Sequence, residues 1–134
     1  MPEPRSILLG DDEPLFLTTM AKLLSRHGLD VRTASSAEEA LRILAEVDPD
    51  VVIMDVKMPG RDGLSALREI KQLRPLTAVI LLTGHGTVEM GQEAIRRDAF
   101  DFLAKPANVG RILEAIEEAI RSRKVAEEAA RKEA

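Results

Sequence analysis

Hydrophobic and polar positions along the chain follow two spacings that alternate from end to end. Short runs rich in Val, Ile and Leu have the composition of buried strands. Between and after them, apolar residues recur every three or four positions, which is the spacing of one helix face. The short runs predict strands at 6–10, 30–34, 50–55, 78–83 and 101–104.

The longer stretches predict five helices, and several carry end signals. Pro14 suits the first turn of the first helix, and Gly28 is placed to end it. The second helix begins with the capping-box pattern "SSAEE" at 35–39. The fourth, at 87–97, is the weakest, because Gly91 in its interior costs about 1 kcal/mol relative to Ala.

Strands that alternate with helices predict parallel pairing, right-handed crossovers and helices on both faces of the sheet. The runs at 50–55 and 78–83 are apolar on both sides, as central strands covered by helices should be. The predicted fold is therefore α/β, a doubly wound five-stranded parallel sheet with five helices. In such sheets the ligand site lies beyond the carboxyl ends of the strands.

Length and composition add limits to this picture. A chain of 134 residues fits one domain with one core, and it has no cysteine for disulfides or thiolate metal sites. No apolar run reaches the roughly 18 residues that span a bilayer, and "MPEPRS" lacks signal-peptide regions, so we expect a cytoplasmic location without membrane binding. A net charge of −4 gives no support for direct nucleic-acid binding.

Polar residues follow the predicted strands at the edge where a ligand should bind: Asp11, Asp12, Asp55, Thr83 and Lys105. Each alone has an ordinary explanation, since Asp and Thr can cap helices or turns and Lys can be solvated. Together, three carboxylates in one place repel and need a cation, and oxygen ligands suit Mg²⁺. A lysine and a hydroxyl beside them can hold phosphoryl oxygens, so a carboxylate could serve as a phosphoryl-accepting nucleophile.

The motifs "ILLGDDEP", "VVIMDVKMPGRDGL", "ILLTGHG" and "FDFLAKP", in this order and spacing, resemble the receiver domains of two-component response regulators. The likeness covers the chain to about residue 122. It implies the chemotaxis-regulator-like, flavodoxin-like fold with strand order 2-1-3-4-5. It also implies that Asp55 is the phosphoacceptor and that Mg²⁺ is held by Asp12, Asp55, the backbone carbonyl of Lys57, and Asp11 through water.

The resemblance further implies a switch. Thr83 would bind a phosphoryl oxygen and move on activation, and Lys105 would bind another oxygen and contact the carboxylate. Phe102 matches an aromatic position that rotates between outward and inward states. His85 and Lys57 lie beside the predicted approach of water to Asp55, where they either tune the phosphoryl lifetime or are plain exposed loop residues.

The implied function is a signalling module that takes a phosphoryl group from a sensor histidine kinase or phosphotransfer protein. It would then reposition its fourth helix, fifth strand and fifth helix for an output domain or a second copy, with transcription control as one output. The alternative is an Mg²⁺-dependent phosphatase with an aspartate nucleophile. That enzyme would need an acid two residues after Asp55, where this chain has Lys57. A receiver that no longer takes phosphate is disfavoured, because every site group is present.

The C-terminal segment has helical composition but little apolar surface. We expect a receiver domain at 1–122 and, at 123–134, a helical extension or the start of a linker. Glu127 and Glu128 each precede a cation by four residues, a favourable helical pair. Val125, Ala126 and Ala129 form a narrow apolar seam that could pair in a dimer, and the alternative is a frayed, solvated tail. No effector motif follows, so the chain is either a stand-alone receiver or part of a longer regulator.

Overall fold

In a computed structural model of the chain, the predicted strands form one five-stranded parallel sheet in the order β2-β1-β3-β4-β5. The structure describes residues 5–58, 63–84, 88–105 and 108–133. The strands are β1 (Ser6–Gly10), β2 (Asp30–Ala34), β3 (Val51–Asp55), β4 (Ala78–Thr83) and β5 (Asp101–Ala104). The helices are α1 (Pro14–Arg26), α2 (Ala37–Glu46), α3 (Gly63–Leu73), α4 (Val88–Arg96) and α5 (Val109–Glu133).

The observed elements confirm the predicted fold class, strand order and helix number. Four strands have the predicted limits, and β3 begins one residue later, at Val51. Two of the three interior strands, β3 and β4, are buried along their whole length. Burial on both faces explains their continuous apolar sequences, because each side chain packs under a helix whichever way it points.

Two hydrophobic clusters cover the two faces of the sheet. Leu8, Val52 and Leu81 point into the cluster formed with α2, α3 and α4. Their strand neighbours, such as Ile53 and Ile80, point into the cluster formed with α1 and α5. This division follows from the alternation of side chains along a strand.

Special backbone conformations appear where the sequence predicts helix ends. Gly28 follows α1 with φ +82°, and Asp98 follows α4 with φ +71°. An aspartate tolerates this left-handed conformation less well than a glycine, by about 1 kcal/mol. At the start of α2, the hydroxyl of Ser36 accepts a hydrogen bond from the Glu39 N–H at 3.1 Å, as the capping pattern predicts.

The last helix runs without a break to Glu133, past the predicted domain boundary at 122. Arg123 lies on its buried side, with only 9% of the residue exposed. Its guanidinium donates to Asp48 Oδ2 at 2.8 Å, Thr77 Oγ1 at 3.2 Å and Glu127 Oε1 at 2.7 Å, and also to the Pro49 carbonyl. By these contacts Arg123 belongs with the body of the domain, while the division into receiver and extension stays a prediction.

Within the described part of the chain, no helix combines the length and the apolar character needed to cross a bilayer. Even α5, the longest at 25 residues, carries many charged side chains on its exposed side.

Candidate functional site

Three aspartates meet at the carboxyl ends of two neighbouring strands. Gly10 of β1 pairs with Met54 of β3, so the residues that follow them, Asp11 and Asp55, lie side by side at the edge of the sheet. Asp12 joins them from the segment that leads into α1. One carboxylate oxygen from each of the three lies within 4.8 Å of the others.

The carboxylates differ in exposure, and the backbone holds the two buried ones. Asp11 is 1% exposed and Asp55 6% exposed, whereas Asp12 is open to solvent. The Glu13 N–H donates to Asp11 Oδ1 at 2.9 Å, and the Lys57 N–H donates to Asp55 Oδ1 at 3.0 Å. Each buried carboxylate therefore has one oxygen fixed from its own loop and a second oxygen directed to the centre of the cluster.

Lys105 bridges the two buried aspartates from the end of β5. Its Nζ donates to Asp11 Oδ2 at 2.6 Å and to Asp55 Oδ2 at 3.0 Å. Its backbone N–H donates to the Thr83 carbonyl at 2.7 Å, which fixes the start of the loop beside β4. Burial by itself lowers the pKa of the Lys105 ammonium, but the hydrogen bonds and charges of Asp11 and Asp55 outweigh burial and raise that pKa above its ordinary value.

Two further side chains lie close to the Lys105 ammonium, and the sequence did not predict either of them as part of the site. Glu13 Oε1 lies 3.6 Å from Nζ, and the ring of Phe16 lies 4.3 Å from it, within the range of a cation–π contact. Both residues are visible in the sequence, Glu13 after the two aspartates and Phe16 on the apolar stripe of α1. Their contact with Lys105 depends on how α1 packs against β1, β2 and α5, which the apolar stripe of α1 does not specify.

Thr83 and Phe102 lie on one face of the sheet. Leu81 pairs with Phe102, and Thr83 pairs with Ala104 two residues further on, so Thr83 and Phe102 are diagonal neighbours. Thr83 is 1% exposed, at the same edge as the aspartates, and Phe102 is half-buried. The structure thus brings together five predicted site residues: Asp11, Asp12, Asp55, Thr83 and Lys105.

The remaining predicted residues lie at the margin of this cluster. Lys57 exposes its side chain to solvent and directs its backbone N–H at Asp55. The metal-binding function predicted for Lys57 belongs to its backbone carbonyl group and stays a prediction. His85, predicted to influence the phosphoryl lifetime, lies outside the described residues.

The donor set fits a hard divalent cation. Carboxylates of Asp11, Asp12 and Asp55 with the ammonium of Lys105 carry a formal charge of −2 between them, three negative charges and one positive. These residues offer oxygen ligands and neither sulfur nor imidazole. Such a ligand set binds Mg²⁺ in preference to soft metals. A buried carboxylate beside an ammonium and a hydroxyl can also act as a nucleophile toward a phosphoryl group.

Comparison with known proteins gives one consistent family. A family model described as "Response regulator receiver domain" matches residues 7–117. The DNA-binding transcriptional regulator NtrC of Escherichia coli is 36% identical over 110 residues, which is 82% of this chain and 24% of that protein. The chain thus spans about a quarter of the length of this curated relative.

Solved structures agree with the observed fold. A response regulator receiver domain protein from Clostridium thermocellum is 43% identical, with a TM-score of 0.86, and the match covers 91% of this chain and 98% of that one. The beryllofluoride-activated NtrC4 receiver domain dimer is 34% identical, with a TM-score of 0.84, and the match covers 88% and 98% of the two chains.

Proposed function

Since the chain belongs to the response regulator receiver domain family, we propose that it accepts a phosphoryl group on Asp55 and uses it to control a downstream output. The observation that carries the proposal is the Lys105 ammonium held between Asp11 and Asp55 at the carboxyl edge of the sheet. This arrangement places a buried carboxylate nucleophile beside a cation that can stabilise transferring phosphoryl oxygens.

The proposed transfer starts from a phosphorylated histidine of a sensor histidine kinase or phosphotransfer protein. An oxygen of Asp55 attacks the phosphorus, forming a P–O bond as the P–N bond breaks, and the histidine nitrogen keeps the electron pair. Lys105 and the Thr83 hydroxyl donate hydrogen bonds to the phosphoryl oxygens, on which negative charge is spread in the transition state. Asp55 ends as an acyl phosphate, which stores the signal until water hydrolyses it.

We propose Mg²⁺ as the cofactor, held by Asp11, Asp12, Asp55 and the backbone carbonyl of Lys57. The support is the chemical match of three clustered carboxylates to a hard divalent cation. When bound, the ion would neutralise the charge between the acidic groups and the incoming phosphoryl group. Asp11 and Lys105 are already ion-paired, which leaves the exposed Asp12 the most accessible carboxylate for a solvated cation.

The partners follow from the same proposal. The donor is a histidine kinase or phosphotransfer protein. The output is a domain or a second copy that contacts the surface of α4, β5 and α5 or the C-terminal part of α5. The similarity to NtrC, a DNA-binding transcriptional regulator, and to the activated NtrC4 receiver domain dimer supports transcription control and self-association as outcomes. We propose that this domain does not itself bind nucleic acid, which fits its net charge of −4.

The competing function is an Mg²⁺-dependent phosphatase that turns over its aspartyl phosphate. Such an enzyme needs a general acid near the leaving group, and the second residue after Asp55 is Lys57, whose side chain is a solvated cation. We propose that the domain is not a phosphatase of external substrates. The test is steady-state hydrolysis of p-nitrophenyl phosphate. If this hydrolysis is faster than the loss of the protein's own phosphoryl group, the domain is a phosphatase and this proposal is wrong.

The test of the main proposal is covalent labelling. With Mg²⁺ and acetyl phosphate, the chain should gain one phosphoryl group that survives acid and is lost in alkali. Asp55→Asn should abolish labelling, because an amide is not a nucleophile here. Asp30→Asn, which changes an exposed carboxylate at the start of β2, is the matched control and should label normally. Undiminished labelling of Asp55→Asn by intact-mass spectrometry would disprove the assignment.

A further inference from the structure

The interior of α4 and the ring of Phe102 come unusually close at one point. A Cβ atom built on Gly91 would lie 3.2 Å from Phe102 Cδ1, 3.6 Å from Cγ and 3.7 Å from Cε1. Carbon atoms in proteins pack best at about 3.5–4.0 Å, so the nearest of these contacts is too short. The ring therefore occupies space that the side chain of any other residue at 91 would fill.

The backbone conformation gives no reason for a glycine at this position. Of the glycines in the described ranges, Gly28 is the one with positive φ, and Gly91 lies in the regular helix Val88–Arg96. Glycine is the least favourable residue in a helix interior apart from proline. The close approach of Phe102 is therefore the structural feature that favours a residue without a side chain at position 91.

Phe102 lies between this point of α4 and the phosphoryl-transfer edge of the sheet. It shares a sheet face with Thr83, two residues along the paired strands, and it packs against the cluster that contains Leu81 and Ala94. A change at Thr83 can therefore reach the ring along one face, and a change of the ring acts on α4 at Gly91.

We propose that Gly91 is a seat for the Phe102 ring, and that its missing side chain sets the balance between the ring positions before phosphorylation. The inference deepens the proposed function, because it names the residue that controls the switch. Gly91 touches neither Asp55 nor Lys105, so it is a positioning residue. A methyl group in the seat displaces the ring from α4 while the phosphoryl-transfer groups keep their contacts.

Fluorine NMR on the chain labelled with fluorophenylalanine tests this seat directly. The chain has three phenylalanines, so it gives three signals, and Phe102→Leu identifies the one from Phe102. Gly91→Ala should shift the Phe102 signal in the unphosphorylated chain and reduce its change on adding beryllofluoride at least twofold. The matched control is Gln92→Ala, an exposed neighbour in the same helix that should leave the signal in place.

Each outcome decides a different point. If wild type takes no label from acetyl phosphate, the proposed function fails. If wild type labels but its Phe102 signal ignores beryllofluoride, the ring is no switch and the inference falls with it. If wild type responds and Gly91→Ala behaves like Gln92→Ala, the seat is refuted alone. Should Gly91→Ala fold poorly, adding Phe102→Leu must restore folding, and a double variant that is equally unfolded also refutes the seat.

Discussion

Lys105 is the residue that makes two buried aspartates compatible with a folded chain. Asp11 and Asp55 would repel each other without a cation between them, and a buried charge that loses its partner is strongly destabilising. The raised pKa of Lys105 means that its ammonium contributes stability below its unfolded pKa. That contribution is lost as the pH rises through its folded value. Throughout the neutral range, the Lys105 ammonium therefore stays charged and paired with Asp11 and Asp55.

Thr83→Ala should separate phosphorylation from switching. Lys105 keeps its contact with Asp55, so we expect slower but measurable labelling by acetyl phosphate. The hydroxyl that links the phosphoryl group to the Phe102 face is gone, so amide chemical-shift changes on adding beryllofluoride should shrink across β5. Thr33→Ala, an exposed strand threonine, is the control. Equal shift changes in wild type and Thr83→Ala would contradict the coupling.

The phosphoryl lifetime should depend on the side chains of Lys57 and His85. Both are proposed to lie beside the path of the attacking water, so replacing both with Ala should change the half-life of the phosphorylated chain severalfold. Stability should hardly change, since surface substitutions usually act within about 0.5 kcal/mol. Lys22→Ala with His27→Ala, two exposed residues of the same types, is the control pair. An unchanged half-life would exclude both residues from this function.

At the scale of elements, α5 is held to the domain by Arg123, a charged residue that does not belong to the apolar stripe of this helix. Arg123 follows Ile116 and Ile120 at helical spacing and is buried with them, although it is charged. Its partners come from the segments that precede β3 and β4, where Thr77 also donates to Asp48 at 3.1 Å. These contacts fix the direction in which the rest of α5 leaves the domain.

Removing this anchor should destabilise the whole domain. Arg123→Met keeps the length of the side chain but leaves Asp48 and the Pro49 carbonyl with fewer donors. We expect a loss of about 1–2 kcal/mol in the free energy of unfolding, because the hydrogen bonds are charged but Asp48 is partly solvated. Arg121→Met, on the exposed side, should cost less than about 0.5 kcal/mol. Urea denaturation of both variants measures the difference, and equal losses would contradict the anchor.

The difference in unfolding free energy between wild type and Arg123→Met should depend on pH. The hydrogen bond from Arg123, with its charge, outweighs burial and lowers the pKa of Asp48. The stabilisation is therefore complete above the unfolded pKa of an aspartate, about 3.9, and is lost as the pH falls through the lower folded value. The stability gap between wild type and Arg123→Met should be constant from pH 7 to 5 and narrow below about pH 4. A gap that widens on acidification would exclude Asp48 as the partner.

At the scale of the whole molecule, the two charged clusters lie at opposite edges of the sheet. The aspartates and Lys105 follow the carboxyl ends of the strands, whereas Asp48 and Thr77 precede the amino ends of β3 and β4. The phosphoryl group would therefore bind at one edge, and the extended part of α5 leaves from the other. Only the packed body between them can connect the two.

The extension should promote self-association of the activated chain. About ten residues of helix are marginal in water without packing, and Val125 is 68% exposed on the seam with Ala126 and Ala129. We expect beryllofluoride to increase the dimer fraction in sedimentation velocity. Val125→Gln should reduce that fraction while Lys124→Gln, its exposed neighbour, should not. A monomer at all concentrations in both states would exclude pairing through this seam.

Residue pattern by itself determined the elements, their order and the fold class. The limits of β4 were predictable because a fully buried strand must be apolar on both faces, and the end of α1 was predictable because Gly28 occupies the left-handed position that follows it. The candidate site was also predictable, because parallel strands bring their carboxyl ends to one edge. Asp11, Asp55 and Lys105 had to meet there once the strand order was known.

Tertiary structure decided the contacts made between elements that are distant in sequence. Glu13 and Phe16 beside Lys105, Phe102 on Gly91, and Arg123 between the segments before β3 and β4 depend on distances set by helix packing. Periodicity tells which side of a helix is buried, but not which atom of another element it meets. Such contacts depend on shifts of less than an ångström, and only the packed chain fixes distances that finely.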